Sequence, residues 1–199
     1  MRQEINKTMT GLSLFSGVGG MDLAAEATGI KTVAFCEIDP FCQVVLRNRW
    51  PGVPIFGDIH KVTGEMIFHE GRTKTIDVIF GGIPCQSFSV AGQRKGKDDD
   101  RYLWPDFSRL VEEIKPGWVV VENVPGILRL AADDICTDLE RQGYAVRILC
   151  HEAAAVGAPH RRMRVFFIGE SKRRARLVPC CAKPPARRLP AYVAHTRRA

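Results

Sequence analysis

The run Trp118-Val119-Val120-Val121 constrains the fold of this chain more than any other feature of its sequence. Four large apolar residues in succession suit a strand that is buried on both faces, as the inner strands of a parallel sheet are. Other short apolar runs predict further strands over 12–15, 32–36, 55–56, 76–80, 144–149 and 165–168. Amphipathic stretches between them predict helices over 20–28, 40–49, 103–114 and 131–142. This alternation predicts an α/β fold with a Rossmann-like, doubly wound, mostly parallel sheet.

The charge of the chain is unevenly distributed. Residues 1–170 carry 20 Lys and Arg against 22 Asp and Glu, whereas residues 171–199 carry nine Lys and Arg and no acid. The second segment also holds four prolines and shows no apolar periodicity. We therefore predict one folded domain over 1–170 and a disordered basic tail over 171–199. Such a tail is a non-specific nucleic-acid arm, a solvated end, or the product of a truncated or out-of-frame terminus.

Several classes of protein are disfavoured by composition. No stretch approaches the roughly 20 apolar residues of a membrane span, and Met1–Glu4 does not begin a secretory signal. The seven cysteines include no CxxC pair, which argues against a disulfide framework or a zinc site. We expect a cytoplasmic protein with no metal and no membrane partner.

A glycine-rich turn follows the first predicted strand, in the run Phe15-Ser16-Gly17-Val18-Gly19-Gly20. A dinucleotide fingerprint would need glycine at position 22, where this chain has Asp22. Glu37 ends the second strand and could accept hydrogen bonds from both hydroxyls of a ribose. Asp58, after the third strand, could accept from the amine of an adenine. Each carboxylate alone could simply cap a turn, but together they predict an adenosyl cofactor.

Cys85 lies in the loop Gly81-Gly82-Ile83-Pro84-Cys85, directly after a predicted strand. Open α/β sheets carry out their chemistry at the carboxyl ends of strands, so we predict that Cys85 is a nucleophile rather than a small buried hydrophobe. Glu122 and Asn123 end the fifth strand at the same rim. Arg162 and Arg164 would share one face of an extended segment, where they would bind an anion or a base or would form a solvated face.

These motifs, in this order and spacing over about residues 11–170, resemble the cytosine carbon-5 DNA methyltransferases. The resemblance implies a methyltransferase fold, S-adenosylmethionine as cofactor and DNA as partner. It implies that the Cys85 thiolate adds to carbon 6 of the base, and that carbon 5 then takes the methyl group. Glu122 would bond ring nitrogen 3, Arg164 would hold the carbonyl oxygen at carbon 2, and Arg162 and Asn123 would position the site.

The resemblance also implies a set of cofactor contacts. Phe15 would lie against the adenine, Glu37 would bind the ribose and Asp58 the amine. The other residues expected to line the cofactor site are Ser16, Gly17, Gly19, Gly20, Ile38, Ile59, Gly81 and Pro84. Segment 86–101 corresponds to the loop that closes over a base turned out of the duplex.

Two departures from the family pattern limit these expectations. His160 stands where family members typically have glutamine. Family enzymes also continue into a target-recognition domain and a C-terminal helix, whereas only 29 residues follow position 170 here. We therefore expect weak, non-specific DNA binding unless a complementing chain supplies recognition.

Three alternatives to this prediction stay open. The chain could be a tRNA cytosine methyltransferase, because an RNA-acting branch shares these motifs, or a truncated or split fragment without catalysis. A nicotinamide-dependent oxidoreductase is disfavoured by Asp22 and by Cys85 together with Glu122. The resemblance favours a bacterial or phage modification enzyme.

Overall fold

The computed structural model describes residues 8–84 and 103–175 of the chain, with side chains described as far as 173. The segments 85–102 and 176–199 lie outside the described residues, and with them Cys85, the predicted loop 86–101 and most of the predicted tail. No helix among the described residues is long and apolar enough to span a membrane.

Within residues 8–84 and 103–175, seven strands form one sheet in the order β3-β2-β1-β4-β5-β7-β6. The strands are β1 (Met9–Leu14), β2 (Ile30–Cys36), β3 (Ile55–Phe56), β4 (Val78–Gly82), β5 (Trp118–Asn123), β6 (Tyr144–Glu152) and β7 (Met163–Ser171). The helices are α1 (Gly20–Ala27), α2 (Pro40–Arg49), α3 (Gly64–Glu70), α4 (Trp104–Ile114), α5 (Ile127–Leu130), α6 (Ala132–Arg141) and α7 (Lys172–Ala175). Single 3-10 turns cover Ile59–Lys61 and Ala153–Val156. The predicted doubly wound α/β fold is confirmed.

The pairing of the strands sets the position of the site. β1 to β5 are mutually parallel, so their carboxyl ends share one rim of the sheet. β7 runs antiparallel between β5 and β6, with Asn123 opposite Val165 and Trp118 opposite Glu170. Because of this reversal, the beginning of β7 lies at the same rim as the end of β5.

The core lies mainly on the face of the sheet that α4 and α6 cover. There Phe107, Leu110, Ile135 and Leu139 are fully or almost fully buried against Phe167 of β7. On the opposite face, α1 covers a smaller cluster around β1 and β4. The part of that face formed by β5, β7 and β6 is less covered by the described residues: Trp118, Val120, Phe166 and Ile168 are half-buried, and Leu149 is half-exposed.

Several predicted boundaries were wrong. The fourth strand was predicted over 76–80 but spans Val78–Gly82, because Gly81 fits closely against the Leu14 carbonyl of β1 and the pairing therefore continues through the glycines. β6 and β7 are each nine residues long because they pair with one another over their whole length. α3 and α5 were not predicted. β7 ends at Ser171 and α7 at Ala175, and the predicted domain boundary at residue 170 stays a prediction.

Candidate active site

The glycine-rich turn between β1 and α1 has an unusual backbone conformation. Phe15, the first residue after β1, has a φ of 53°, in the left-handed region that a non-glycine residue seldom adopts. Gly17 and Gly19 also have positive φ, at 54° and 86°. Ser16, which is half-buried, anchors the turn by donating from its hydroxyl to the Ser13 carbonyl at 3.1 Å. Left-handed residues held in place in this way cluster at binding sites, which agrees with the predicted role of the turn.

The glycines of this turn serve different purposes. A Cβ at Gly19 would collide with the indole of Trp50, so this glycine permits close packing of the turn on α2. Gly17 and Gly20, the latter the first residue of α1, have nothing within 4 Å of an added Cβ. The space beside these two positions is therefore open to a ligand.

Glu37 follows β2 and faces the same turn. Its Oε2 accepts from the Gly17 N–H at 2.7 Å, and its Oε1 accepts from the Asp39 N–H at 2.8 Å. A carboxylate has about four acceptor sites, so each oxygen of Glu37 can accept one further hydrogen bond. Next to it, Ile38 is 74% exposed and presents an apolar surface to the solvent.

Asp58 and Ile59 lie after β3 at the neighbouring strand end. Asp58 Oδ1 accepts from the His60 N–H at 3.1 Å, and this hydrogen bond is the main reason that the pKa of Asp58 is lowered. Asp58 Oδ2 is 3.4 Å from Lys61 Nζ. Ile59 is buried. Thus the Asp58 carboxylate is kept charged at the surface. The buried side chain of Ile59 fixes the same turn to the core.

Arg109 of α4 holds this turn, although it was not predicted. Its guanidinium donates to the Ile59 and Val62 carbonyls, both at 2.9 Å. Asp106 and Glu113, one turn away on either side, hold the guanidinium in place. The sequence does indicate that the Arg109 side chain is held in place, because acidic residues stand three positions before it and four positions after it on the same helix. This pattern does not reveal which groups the guanidinium binds.

The residues of these three strand ends fit an adenosyl cofactor. The open space beside Gly17 and Gly20 leaves room for a ligand, and the remaining acceptor capacity of Glu37 suits the two hydroxyls of a ribose. The charged Asp58 suits an amine, and the exposed apolar Ile38 suits the flat face of an aromatic base. Among the described residues, no group of three His, Cys, Asp or Glu side chains could hold a metal ion.

Glu122 and Arg164 form an ion pair at the same rim. Arg164 Nε lies 2.6 Å from Glu122 Oε1, and about a quarter of each side chain is exposed. Gly82 of β4 lies directly opposite Glu122, and a Cβ at position 82 would approach Glu122 Oε2 to 2.9 Å. Gly82 therefore leaves space for the carboxylate, a role that the sequence alone did not indicate. Gly81 is constrained differently, because a Cβ there would meet the Leu14 carbonyl.

Asn123 ties the end of β5 to the chain that leads into Cys85. Its side-chain amide is buried, with Nδ2 donating to the Ile83 carbonyl at 3.1 Å and Oδ1 accepting from the Val124 N–H at 2.8 Å. Pro84, the next residue after Ile83, is exposed at the rim. The approach to Cys85 is thus fixed by β5, while Cys85 itself lies outside the described residues.

Arg162 differs from its expected arrangement. The expectation that it would share an extended face with Arg164 is wrong, because β7 begins at Met163 and Arg162 has a φ of 30°. Its side chain is exposed, and the guanidinium that contacts Glu122 is that of Arg164. The structure thus brings Arg164 and Glu122 together and leaves Arg162 outside this pair.

Comparison with known proteins agrees with this geometry. Residues 9–191 match the model of the C-5 cytosine-specific DNA methylase family. The Type II methyltransferase M.AquIA of Picosynechococcus is 39% identical over 174 residues, which cover 79% of this chain and 70% of that protein. M2.BsuMI of Bacillus subtilis is 34% identical over 79% of this chain but only 41% of its own length.

Solved structures give the same result. A prophage-encoded protein of E. coli, described as a DNA modification methyltransferase, is 32% identical with a TM-score of 0.71, over 83% of this chain and 47% of that one. A DNMT2 of Spodoptera frugiperda shares the fold, with a TM-score of 0.72 at 21% identity, over 92% of this chain and 55% of its own. Apart from M.AquIA, the chain therefore spans about half of the length of these proteins, or less. The family match covers nearly the whole chain, and the chain belongs to the C-5 cytosine-specific DNA methylase family.

Proposed function

We propose that this chain is the catalytic domain of a DNA cytosine carbon-5 methyltransferase that uses S-adenosylmethionine. The observation that carries the proposal is the Glu122–Arg164 ion pair, held at the strand rim that also bears the glycine-rich turn and Glu37. A carboxylate and a guanidinium side by side match one edge of cytosine, which offers ring nitrogen 3, an amine and a carbonyl oxygen.

Cys85 is the proposed nucleophile. Its thiolate adds to carbon 6 of cytosine, which makes carbon 5 electron-rich. S-adenosylmethionine, which Glu37 and Asp58 would hold, would supply the methyl group that carbon 5 takes, and the electrons of the broken carbon–sulfur bond would stay on its sulfur. Loss of the carbon-5 proton to a base and expulsion of the Cys85 thiolate restore the aromatic ring. A free thiol is only a few per cent ionised at neutral pH, so the site must favour the thiolate.

Glu122 and Arg164 would act on the ring while Cys85 adds. Glu122 would bond nitrogen 3 and the exocyclic amine and would supply the proton that nitrogen 3 needs as negative charge develops. Arg164 would hold the oxygen at carbon 2 and stabilise the same charge. Asn123 would act indirectly, because its hydrogen bond to the Ile83 carbonyl fixes the chain that leads to Cys85. Arg162, which is exposed beside the pair, would position the following segment.

The cofactor contacts follow the geometry of the three strand ends. Glu37 would accept from the ribose hydroxyls, Asp58 from the adenine amine, and Ile38 and Phe15 would cover the base. Ser16, Gly17, Gly19 and Gly20 would form the backbone surface beside the amino-acid end. Ile59, Gly81 and Pro84 would shape the remaining wall.

We propose that a complementing chain takes part in target recognition. The half-covered sheet face of Trp118, Val120, Phe166 and Ile168, with Leu149 at its edge, supports this proposal because an apolar surface of this kind is stabilised by a covering element. The names of the relatives favour a bacterial or phage modification system as the setting.

A labelled-methyl assay tests the function directly. The protein is incubated with labelled S-adenosylmethionine and either mixed-sequence duplex DNA or tRNA, with Cys85→Ala as the matched control. We expect label on DNA that depends on Cys85. Label on tRNA alone would replace the proposed substrate with RNA. No label on either substrate, from folded protein that binds the cofactor, would show that this chain is not a catalyst by itself.

A further inference from the structure

Three polar side chains of α4 contact the segment that follows Asp58. Asp106, Arg109 and Glu113 are spaced three and four positions apart, so they lie one above another on a single face of the helix. The packing of α4 on the core comes from other positions of the helix, namely Phe107, Leu110, Val111 and Ile114. The polar face of α4 is therefore available for a different purpose.

Arg109 is the centre of this polar face. Its Nη2 donates to the Ile59 carbonyl and its Nη1 to the Val62 carbonyl, both at 2.9 Å. The same guanidinium lies 3.3 Å from the Asp106 carboxylate and 2.9 Å from that of Glu113. Because the guanidinium is planar and is held by an acid on either side, its donors meet the two carbonyls in fixed directions.

The two acids also contact the segment themselves. Asp106 Oδ2 lies 2.8 Å from Nδ1 of His60. Glu113 Oε2 accepts from the Gly64 N–H at 2.6 Å. Residues 59–64 are thus attached to α4 at both ends and in the middle.

The sheet gives this segment little support. β3, which leads towards Asp58, is only two residues long, and within the part of the chain that the structure describes it pairs with β2 through Ile55 and Phe56 alone. The Asp58 carboxylate is held by the His60 N–H and by the exposed Lys61, which both belong to the same turn. These local contacts keep the shape of the turn, but its orientation depends on contacts with another element.

We infer that Arg109 is a positioning residue that orients the Asp58 carboxylate and thereby makes the cofactor site select adenine. This inference rests on the proposed function, since it concerns the proposed contact between Asp58 and the adenine amine. The buried side chains of Ile59 and Val62 keep the turn on the core, but apolar packing is non-directional. Hydrogen bonds to the carbonyls of these two residues set the direction of the backbone. Asp58 directly precedes the first of these carbonyls, so its carboxylate follows that direction.

Binding measurements with two ligands test the inference without turnover. S-adenosylhomocysteine has the adenine amine, whereas S-inosylhomocysteine has a carbonyl oxygen in its place, which a carboxylate repels. Their dissociation constants are measured by calorimetry for the wild-type protein and for Arg109→Met, whose side chain is unbranched and has no donor. A hydrogen bond to a charged group changes affinity by roughly 10- to 100-fold. Since Arg109→Met misplaces Asp58 without removing it, we expect the preference for S-adenosylhomocysteine to fall about threefold to tenfold.

A double-mutant cycle shows whether Arg109 acts through Asp58. Asp58→Ala is expected to abolish the preference for S-adenosylhomocysteine. In that background Arg109→Met should change the preference no further, because the carboxylate that it positions is already absent. A purely structural role of Arg109 would lower the affinity for both ligands alike and would leave their ratio unchanged.

Two further variants serve as controls. Arg109→Lys keeps the positive charge, but its ammonium cannot donate to two carbonyls as a rigid fork does, so its preference should lie between those of the wild type and Arg109→Met. Arg141→Met is the matched control, because Arg141 also pairs with an acid three positions before it, Asp138 at 2.7 Å, but on α6. It is expected to leave the preference unchanged, and thermal unfolding establishes that each variant is folded.

The outcomes that overturn the inference are distinct from those that overturn the proposed function. An unchanged preference in folded Arg109→Met protein, or additive effects of Arg109→Met and Asp58→Ala, would refute the inference. Failure of both Arg109 variants to fold would also refute it, because the guanidinium would then serve the fold alone. A wild-type protein that binds both ligands equally would refute the contact of Asp58 with the amine, and the inference with it. A wild-type protein that binds neither ligand would instead refute the proposed cofactor.

Discussion

Replacing Gly19 with alanine tests the geometry of the glycine-rich turn between β1 and α1 more directly than any other substitution. Gly19 has a φ of 86°, and a Cβ there would come within 2.5 Å of Cη2 of Trp50. Gly17 is the matched control, because its φ is also positive, at 54°, but an added Cβ would meet nothing within 4 Å. Gly17→Ala and Gly19→Ala therefore both place alanine in a left-handed backbone conformation, but only Gly19→Ala creates a steric clash.

The expected loss of stability in each variant follows from the strain of the backbone and from the clash with Trp50. Placing alanine in the left-handed region costs about 1–2 kcal/mol, and this is the whole expected loss for Gly17→Ala. Overpacking against a well-packed side chain adds about 1–3 kcal/mol. Trp50 cannot move easily, since its ring packs on Phe35 at 5.4 Å between centroids and its Nε1 donates to Glu26 at 2.6 Å. We expect Gly19→Ala to lower the free energy of unfolding by about 2–5 kcal/mol.

Urea unfolding of a double-mutant cycle measures the clash itself. Trp50→Phe removes the outer ring atoms that a Cβ at position 19 would touch, and should therefore be less harmful in the Gly19→Ala background than in the wild type. We expect a coupling free energy of about 1–2 kcal/mol. Equal losses for Gly17→Ala and Gly19→Ala, or additive effects in the cycle, would refute the assignment of Gly19 to packing against Trp50.

Three further predictions concern the catalytic rim and the interior. Glu122→Gln should lower the rate of methyl transfer by a factor of roughly 10² to 10⁴ with little change in cofactor affinity, because glutamine keeps the shape of the side chain but cannot supply the proton to cytosine. A rate near that of the wild type in single-turnover assays would exclude Glu122 as the proton donor. Asn123→Ala should lower the free energy of unfolding by about 1–3 kcal/mol, since it leaves the Ile83 carbonyl without its buried donor, and urea titration checks this. Burial raises the pKa of Cys36 from 9.0 to about 12 and that of Tyr144 from 10.0 to about 12. The unfolded chain thus loses these protons first, and the free energy of unfolding should fall between pH 9 and 12 by up to about 1.4 kcal/mol per pH unit for each group; Cys36→Ala should reduce this slope at the lower end, and an unchanged slope would contradict the prediction.

The rim of the sheet was predictable from sequence because it depends on local rules. A strand of apolar residues followed by a polar side chain places that side chain at a carboxyl end, and this was enough to predict Glu37 and Glu122. The spacing of the glycines after the first strand likewise predicted a turn before α1 from the local sequence. These features need only the chain direction and the burial of neighbouring residues, both of which the residue types reveal.

Other features depend on residues far apart in sequence. The amino end of α3 is held by Glu113, whose Oε2 accepts from the Gly64 N–H at 2.6 Å across 49 positions, and no local pattern contains that contact. Likewise, Asp22 is explicable only once Ser13 and Thr32, whose hydroxyls donate to its carboxylate, are known to flank it. Sequence reasoning used Asp22 to exclude a dinucleotide, but could not show that its side chain would be fully buried.

The antiparallel direction of β7 explains why Arg164 lies beside Glu122 and why the expected placement of Arg162 was wrong. An arginine-rich segment leading into a buried strand was expected at this rim, and Arg164 lies there beside Glu122, because the reversed strand starts where β5 ends. Which arginine lies beside Glu122 depends on the register in which β7 pairs with β5. With β7 starting at Met163, Arg164 is extended beside Glu122, whereas Arg162 lies in the turn with a left-handed backbone. Glu122 pairs with Phe166, and Arg164 lies two residues before Phe166 on the same face, so the register between β5 and β7 decides that this guanidinium meets the carboxylate.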